Sequence, residues 1–210
     1  MRLSRATLPH ARVSVPDYLN RPTAIGVVHF GPGAFHRAHQ AAFFHKILST
    51  DARWRISGVA LRSQDVANAL SPQDGMYTLA IADAQRHFEI VAPHREFLSA
   101  SANTDVIRAR LAHPDIHLVT ITVSEKGYCL TGGGELDEAQ PTVQADLATP
   151  HAPVGLLGWI VEGLRLRRAA GLQPFTVISC DNMTDNGHRV RNAVVALARH
   201  HDHDLAQWIS

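Results

Sequence analysis

A chain of 210 residues, 45% hydrophobic and 19% charged, has ordinary globular composition and enough apolar material for the core of one large α/β domain. Its formal net charge of +1, with no basic run longer than Arg165-Leu166-Arg167-Arg168, excludes electrostatically driven binding to nucleic acid or to a membrane surface. No stretch approaches the roughly 18 consecutive apolar residues of a membrane span, and no apolar export segment follows Met1-Arg2-Leu3-Ser4-Arg5. With only two well-separated cysteines, Cys129 and Cys180, the expectation is a reduced, cytoplasmic protein.

Residues 1–23 carry prolines and arginines without sustained periodicity and read as an arm lying on the surface. Ala24-Ile25-Gly26-Val27-Val28-His29-Phe30 is a short β-branched run that ends in Gly31-Pro32-Gly33 and gives way to a helical pattern, so it reads as a buried strand. The helix is expected from Ala34 to about Leu48, where Ala38, Ala41 and Ala42 permit close packing on a sheet. A second strand over 55–61 completes a βαβ unit, whose crossover should be right-handed. A short helix follows over 64–70. Strands at 76–82 and 87–92, with the polar Asp83-Ala84-Gln85-Arg86 between them, predict an inserted β-hairpin. A helix over 104–112, capped by Asn103 or Thr104, precedes a strand at 116–123 closed by Ser124-Glu125-Lys126-Gly127.

Thr131-Gly132-Gly133-Gly134 reads as a turn and residues 141–153 as a polar loop. Leu156, Leu157, Ile160, Val161 and Leu164 have the spacing of one helix face within 154–170, with Gly171 ending that helix. A strand over 175–180 precedes a helix carrying Val190, Val194, Leu197 and Ala198, and the last residues enter a further helix, an awkward end for a complete enzyme. Strands alternating with helices predict an α/β fold: a Rossmann-like, doubly wound, largely parallel sheet with helices on both faces and a small β-hairpin insertion.

In such a sheet, ligands bind beyond the carboxyl ends of the strands. Four ends are rich in glycine or polar groups: Gly31-Pro32-Gly33, Arg62-Ser63-Gln64-Asp65, Ser124-Glu125-Lys126-Gly127 and Asp181-Asn182. The first joins a turn without side chains to a helix start, where a pyrophosphate can approach the backbone and its unpaired N–H groups. Its spacing departs from G-x-G-x-x-G at His36, which leaves an ordinary tight strand–helix turn as the competing reading. His36 and Arg37 would add positive charge near the phosphates, or else be solvated helix-face residues. At the second end Asp65 is placed to hold a ribose 2′-hydroxyl, which favours NAD, whereas Arg62 nearby is suited to the 2′-phosphate of NADP.

Fourteen histidines invite a metal reading, above all His200-His201-Asp202-His203-Asp204. The expectation is a solvated helix end there, and His36 with His39 lack a nearby carboxylate or cysteine to complete a ligand set, so no metal is expected. Asn182-Met183-Thr184 matches a glycosylation sequon, which without an export signal is read as chance.

Four blocks carry a resemblance. They are His29-Phe30-Gly31-Pro32-Gly33-Ala34-Phe35-His36-Arg37-Ala38-His39-Gln40, Thr122-Val123-Ser124-Glu125-Lys126-Gly127-Tyr128-Cys129, Phe175-Thr176-Val177-Ile178-Ser179-Cys180-Asp181-Asn182-Met183 and Asn186-Gly187-His188. Together they resemble the long-chain polyol dehydrogenase family, which includes mannitol 2-dehydrogenases and fructuronate reductases (D-mannonate oxidoreductases). The similarity runs from about residue 24 onward and makes His36 the family's own form of the dinucleotide loop. It implies an N-terminal arm over 1–23 and an NAD-binding domain over 24–210. A helical catalytic domain, which supplies a Lys-x4-Asn-x2-His pattern in the family, is absent here. That domain would pack on the cleft side, so that without it apolar surface near Tyr128, Met183 and Trp208 would lie exposed.

The implied activity is metal-independent hydride transfer between NAD(H) and the secondary alcohol or ketone of a sugar alcohol or hexuronate, such as mannitol/fructose or mannonate/fructuronate. The alternative is a dinucleotide-binding module inactive without its second domain. The resemblance places Phe30, Gly31, Pro32, Gly33, Ala34, Phe35, His36, Arg37 and Ala38 at the cofactor, joined by Arg62, Asp65, Glu125, Lys126 and Gly127. Asn182 would support the developing alkoxide, its competing role being an Asx-type cap on the next helix. Two departures stand out. Gln64-Asp65 replaces the adjacent acids of some NAD-specific relatives, which leaves NADP open. The 59–63 segment resembles mannitol dehydrogenases, while 124–128 and 186–188 resemble the uronate reductases.

Overall fold

The structure, a computed structural model, describes residues 2–82 and 86–210. In chain order the elements are β1 (Ile25–Phe30), α1 (Ala34–Ala38), α2 (Gln40–Ile47), β2 (Arg55–Ala60), α3 (Asp65–Leu70), β3 (Tyr77–Ile81), β4 (His87–Val91), β5 (His94–Ser99), α4 (Thr104–Leu111), β6 (Leu118–Ile121), α5 (Pro141–Ala148), α6 (Leu156–Ala169), β7 (Thr176–Ser179), α7 (Asn186–Arg199) and α8 (His203–Ile209). Five strands form one parallel sheet in the order β5-β2-β1-β6-β7, and β3 pairs with β4 as a separate antiparallel ribbon. The chain winds outward from β1 in one direction and from β6 in the other. The crevice between those two strands is therefore the topological switch point, where a doubly wound sheet holds its ligand.

Both faces of the inner strands are covered, and five of the six residues of β1 are buried, which is why that run lacks the alternation of a half-exposed strand. On one face Val28, Phe30, Val59, Val119 and Ile121 pack against α4, α6 and α7 in the main core, with Trp159 and Leu156 fully buried. On the other face Val27 and Ile56 meet Ala41 of α2. At the β7 edge the second face opens, and Ile178 is 40% exposed.

Four expectations need correction. The helix expected over 34–48 is broken at His39 (φ −118°, ψ −86°) into α1 and α2. His36 and Ala41 are both buried, yet five residues apart they would lie about 140° apart around a straight helix; the break brings both to the core. Of the loop expected over 141–153, residues 141–148 are helical: α5 begins with Pro141 in its first turn, where the missing N–H costs nothing, and turns Asp146 inward. The N-terminal arm does not simply lie on the surface. Tyr18 and Leu19 are buried in a small second core with Leu48, Met76, Ile90 and Ala92, and the Tyr18 hydroxyl lies 2.6 Å from His45 Nδ1 and accepts the Ala92 N–H. Lastly, β5 was not expected, and it forms one border of the sheet. It is polar, but Ser57 Oγ and Arg110 Nε both donate to Glu96, at 2.8 and 2.9 Å.

The hairpin itself is present, although Asp83, Ala84 and Gln85 of its expected turn lie outside the described residues. Asn103 is the N-cap residue of α4, but its side chain accepts from Ser99 N rather than from the helix. No helix among the described residues is long and apolar enough to cross a membrane.

Candidate functional site

A cleft of about 470 Å³ lies over the switch point. Gly31, Pro32 and Gly33 line it from the end of β1, Ala60, Leu61, Arg62, Ser63 and Val66 from the β2–α3 connection, and Thr122, Val123, Ser124, Gly127 and Cys129 from the end of β6. Thr142, Val154, Gly155 and Leu156 close the far wall. A second cleft of about 430 Å³ shares Val123 and is lined by Glu125, Tyr128, Asp181, Asn182, Met183, Thr184 and Arg189. Three of the four strand ends thus share one cleft, and the fourth opens into its neighbour.

The glycine loop is built by two different constraints. Gly31 has φ +89°, and a Cβ there would stand 2.0 Å from the Thr122 carbonyl oxygen, so no side chain fits between β1 and β6. Gly33 is exposed with an extended backbone, and a Cβ on it would meet only Gly31 O, at 3.8 Å. The first glycine is demanded by the fold, whereas the second leaves open space in the cleft. Arg37 braces the loop by donating to Pro32 O at 2.8 Å, and the Tyr77 hydroxyl donates to Arg37 O at 2.7 Å, tying the hairpin to α1. Because α1 has only five residues, its macrodipole is small. What it offers an anion is the local N–H groups of its first turn.

His36 does not bring positive charge to this loop. It is fully buried, stacked on His29 with centroids 3.4 Å apart, and its Nε2 lies 3.0 Å from that of His94. Burial, reinforced by Arg37, lowers its pKa to about 3, so it is neutral. Phe30 is likewise buried in the core behind the loop. Ala34, Phe35 and Ala38 are exposed, Phe35 at 56%. Asp65 sits exposed in the first turn of α3, its N–H donating to Ser63 Oγ, and it does not line the cleft, whereas Arg62 does. Glu125 faces the second cleft, and Lys126 is exposed and lines neither.

The far wall escaped the sequence reading. Asp146 accepts the N–H groups of Val154 and Gly155 at 2.7 and 3.0 Å, capping α6 from a distance of eight and nine residues. Burial raises its pKa against those hydrogen bonds. A Cβ on Gly155 or Gly158 would strike its carboxylate. The only signal in the sequence is a pair of glycines flanking the start of a periodic apolar run.

In the second cleft, Asp181 ties the ends of β6 and β7 together. Its Oδ2 accepts from Val123 N at 3.0 Å and from the Tyr128 hydroxyl, which also lies 2.7 Å from Ser179 Oγ. Burial raises the Tyr128 phenol, and Asp181 adds to the effect, so it remains protonated. Tyr128 is therefore fully buried rather than exposed, because this pair draws it inward; Met183 and Trp208 are partly buried against the main core. Asn182 next to it is exposed and does not cap α7, whose N-cap residue is Asp185. Asn186 instead donates to Asp181 O and Ser179 O. Among the described residues the His200 tract forms no group of three or more metal-ligating side chains, and His200 Nε2 lies 3.1 Å from Glu138.

Residues 25–210 match the family model for the mannitol dehydrogenase Rossmann domain. The chain is 40% identical over 211 residues to D-mannonate oxidoreductase of Escherichia coli, an alignment covering 97% of this chain and 43% of that protein. Against polyol:NADP oxidoreductase of Gluconobacter oxydans it is 37% identical over 218 residues, 99% of this chain and 44% of the relative. Among solved structures, the ternary complex of Pseudomonas fluorescens mannitol 2-dehydrogenase with NAD and D-mannitol superposes with a TM-score of 0.92 at 35% identity, covering 100% of this chain and 44% of that one. The chain thus spans less than half the length of these relatives.

Proposed function

The chain belongs to the mannitol dehydrogenase family, and on that footing we propose that it is the dinucleotide-holding part of an oxidoreductase acting on the secondary alcohol or ketone of a sugar alcohol or hexuronate. The observation that supports this most is the convergence of the Gly31-Pro32-Gly33 loop with the ends of β2 and β6 on one cleft at the switch point. The open space at Gly33 fits a pyrophosphate laid against the backbone. Arg62 and Ser63, which line the cleft, would hold the adenosine ribose, and Val123, Ser124 and Gly127 would line the path toward the second cleft.

Bound NAD(H) would accept or deliver the hydride. The chain's own contribution to chemistry would be Asn182, which lines the second cleft and whose amide would donate an N–H to a developing alkoxide held there. Asp181 and Tyr128 hold the backbone that carries it. The group that takes the substrate's proton belongs to a second, helical domain packed on the cleft side. The finer reading is NAD with a polyol or hexuronate. A second cofactor, NADP, is favoured by one observation: Arg62 lines the cleft and Asp65 does not.

Titration of the chain with NADH and NADPH, followed by nucleotide fluorescence, tests this. Saturable binding of at least one is expected, and Arg62→Ala should weaken NADPH about tenfold more than NADH by removing a charge-assisted contact to the 2′-phosphate. Binding of neither dinucleotide sinks the reading. In the longer protein, fructose- or fructuronate-dependent oxidation of the nucleotide identifies the substrate, and Asn182→Ala should lower kcat about a hundredfold while leaving nucleotide affinity within about twofold.

A further inference from the structure

Beneath the glycine loop lies a buried polar chain that the proposed chemistry does not use. His29, on β1, is completely buried and cannot touch a ligand in the cleft. Its Nδ1 is 2.8 Å from Thr120 Oγ1, and its Nε2 is 2.9 Å from Thr122 Oγ1 and 3.2 Å from Gly31 O. Thr122 Oγ1 in turn donates to Gly31 O at 2.8 Å. A hydroxyl has one proton, and Thr122 gives it to the carbonyl. Toward His29 the Thr122 oxygen can therefore only accept, as can Gly31 O, so Nε2 must carry the ring hydrogen. Nδ1 is then the bare nitrogen and takes the Thr120 hydroxyl. The ring is held flat from above by His36, stacked at 3.4 Å, and His36 is tied to β5 through His94.

From this geometry we propose that His29 is a positioning residue for the dinucleotide: as the neutral Nε2–H tautomer it fixes Thr122 and the Gly31 carbonyl, and through them the path of the cofactor loop. The proposal rests on the reading of the cleft as a dinucleotide site. The physical need is specific. Gly31 sits at φ +89° with no room for a Cβ beside the Thr122 carbonyl. A peptide in that conformation can turn its carbonyl, and when it turns the N–H groups beyond it turn as well. The Gly33 N–H donates to that carbonyl oxygen at 2.6 Å, and the Thr122 hydroxyl and the His29 Nε2–H join it from the buried side; three donors on one oxygen remove that freedom before the ligand arrives, which is where preorganised sites gain affinity. The burial that lowers the ring's pKa well below the ordinary histidine value keeps it neutral and in this role.

Two substitutions separate positioning from mere packing. His29→Gln can bring a side-chain N–H near the Nε2 position, whereas the shorter His29→Asn amide reaches only the Nδ1 position and leaves Thr122 and the Gly31 carbonyl without that donor. Both lose ring stacking and both should lower Tm by similar amounts. NADH affinity of the full 210-residue chain should fall about tenfold in His29→Asn and stay within about threefold of wild type in His29→Gln, the size expected for one well-placed hydrogen bond. Thr122→Val should behave like His29→Asn, and Thr122→Ser should restore binding. Equal weakening in both His29 variants, or weakening in neither, overturns the proposal. Imidazole 15N shifts of His29 in the ligand-free chain give an independent reading. A neutral Nε2–H tautomer at pH 7 is expected, and an Nδ1–H tautomer overturns the positioning role while leaving the cofactor reading intact. If the wild-type chain binds neither NADH nor NADPH, the cofactor reading fails first and the proposal falls with it.

Discussion

The β1–α1 loop and the β7–α7 loop both leave the carboxyl end of a parallel strand in the same sheet, yet they are held very differently. Behind Gly31-Pro32-Gly33 stand two fully packed sheet faces, the His29–Thr122 hydrogen bonds, the Arg37 brace and the hairpin's Tyr77. Behind Asp181-Asn182 stands an edge strand, with Ile178 40% exposed on one face, and the Asp181–Tyr128–Ser179 link. The first loop is over-determined by this chain alone, as a preorganised anion cradle must be. The second presents an exposed amide beside the second cleft. In the proposed function the first loop serves the cofactor and the second the substrate.

The contrast is sharpest in the glycines. Gly31→Ala drives a Cβ into the Thr122 carbonyl at a positive φ and should cost about 3 kcal/mol of unfolding free energy, measured by urea denaturation. A loss below about 1 kcal/mol would mean that the loop is not locked to β6. Acid should act on the same region next. His29, His36 and His94 all have pKa values pushed below the ordinary 6.5 by burial, His36 to about 3. The unfolded chain therefore binds more protons between those limits. Stability from this cluster is full above pH 6.5 and declines as pH falls toward 3, by roughly 1.4 kcal/mol per unit for each ring that stays neutral in the fold. Urea midpoints that stay flat from pH 7 to pH 5.5 would contradict the buried, neutral cluster. The smallest effect belongs to the other loop. Gly187, near the start of α7, has nothing within 4 Å of an added Cβ, so Gly187→Ala should stabilise by about 0.5 kcal/mol through helix propensity, read as a small rise in Tm.

How much of this was legible beforehand follows the same division. The parallel strands and the helices over α6 and α7 were readable because their apolar residues repeat with a clear period or run without a break. The strand ends were readable because glycine and polar residues gather there. β5 was missed because His94 is held by His36 on α1 and Glu96 by partners on β2 and α4, none of which a local pattern reveals. The buried role of His36 was missed for a related reason: next to Arg37 and close to a phosphate-type loop it looks like added charge, and only the tertiary stack on His29 shows it neutral. α5 looked like a loop because its polar face is wide and, of its two buried residues, Val143 and Asp146, one is itself polar. The resemblance named the family and the loop, but it could not tell which loop residues face the cleft and which hold it from behind.

In the proposed function this chain by itself holds a dinucleotide against the backbone at Gly33. Isothermal titration of wild type and Gly33→Ala with NADH tests it most directly, because the added methyl meets only Gly31 O at 3.8 Å in the protein but occupies the space a pyrophosphate would need. Saturable binding to wild type is expected, with weakening of about tenfold or more in Gly33→Ala and an unchanged Tm. Equal affinity in the two proteins would contradict it.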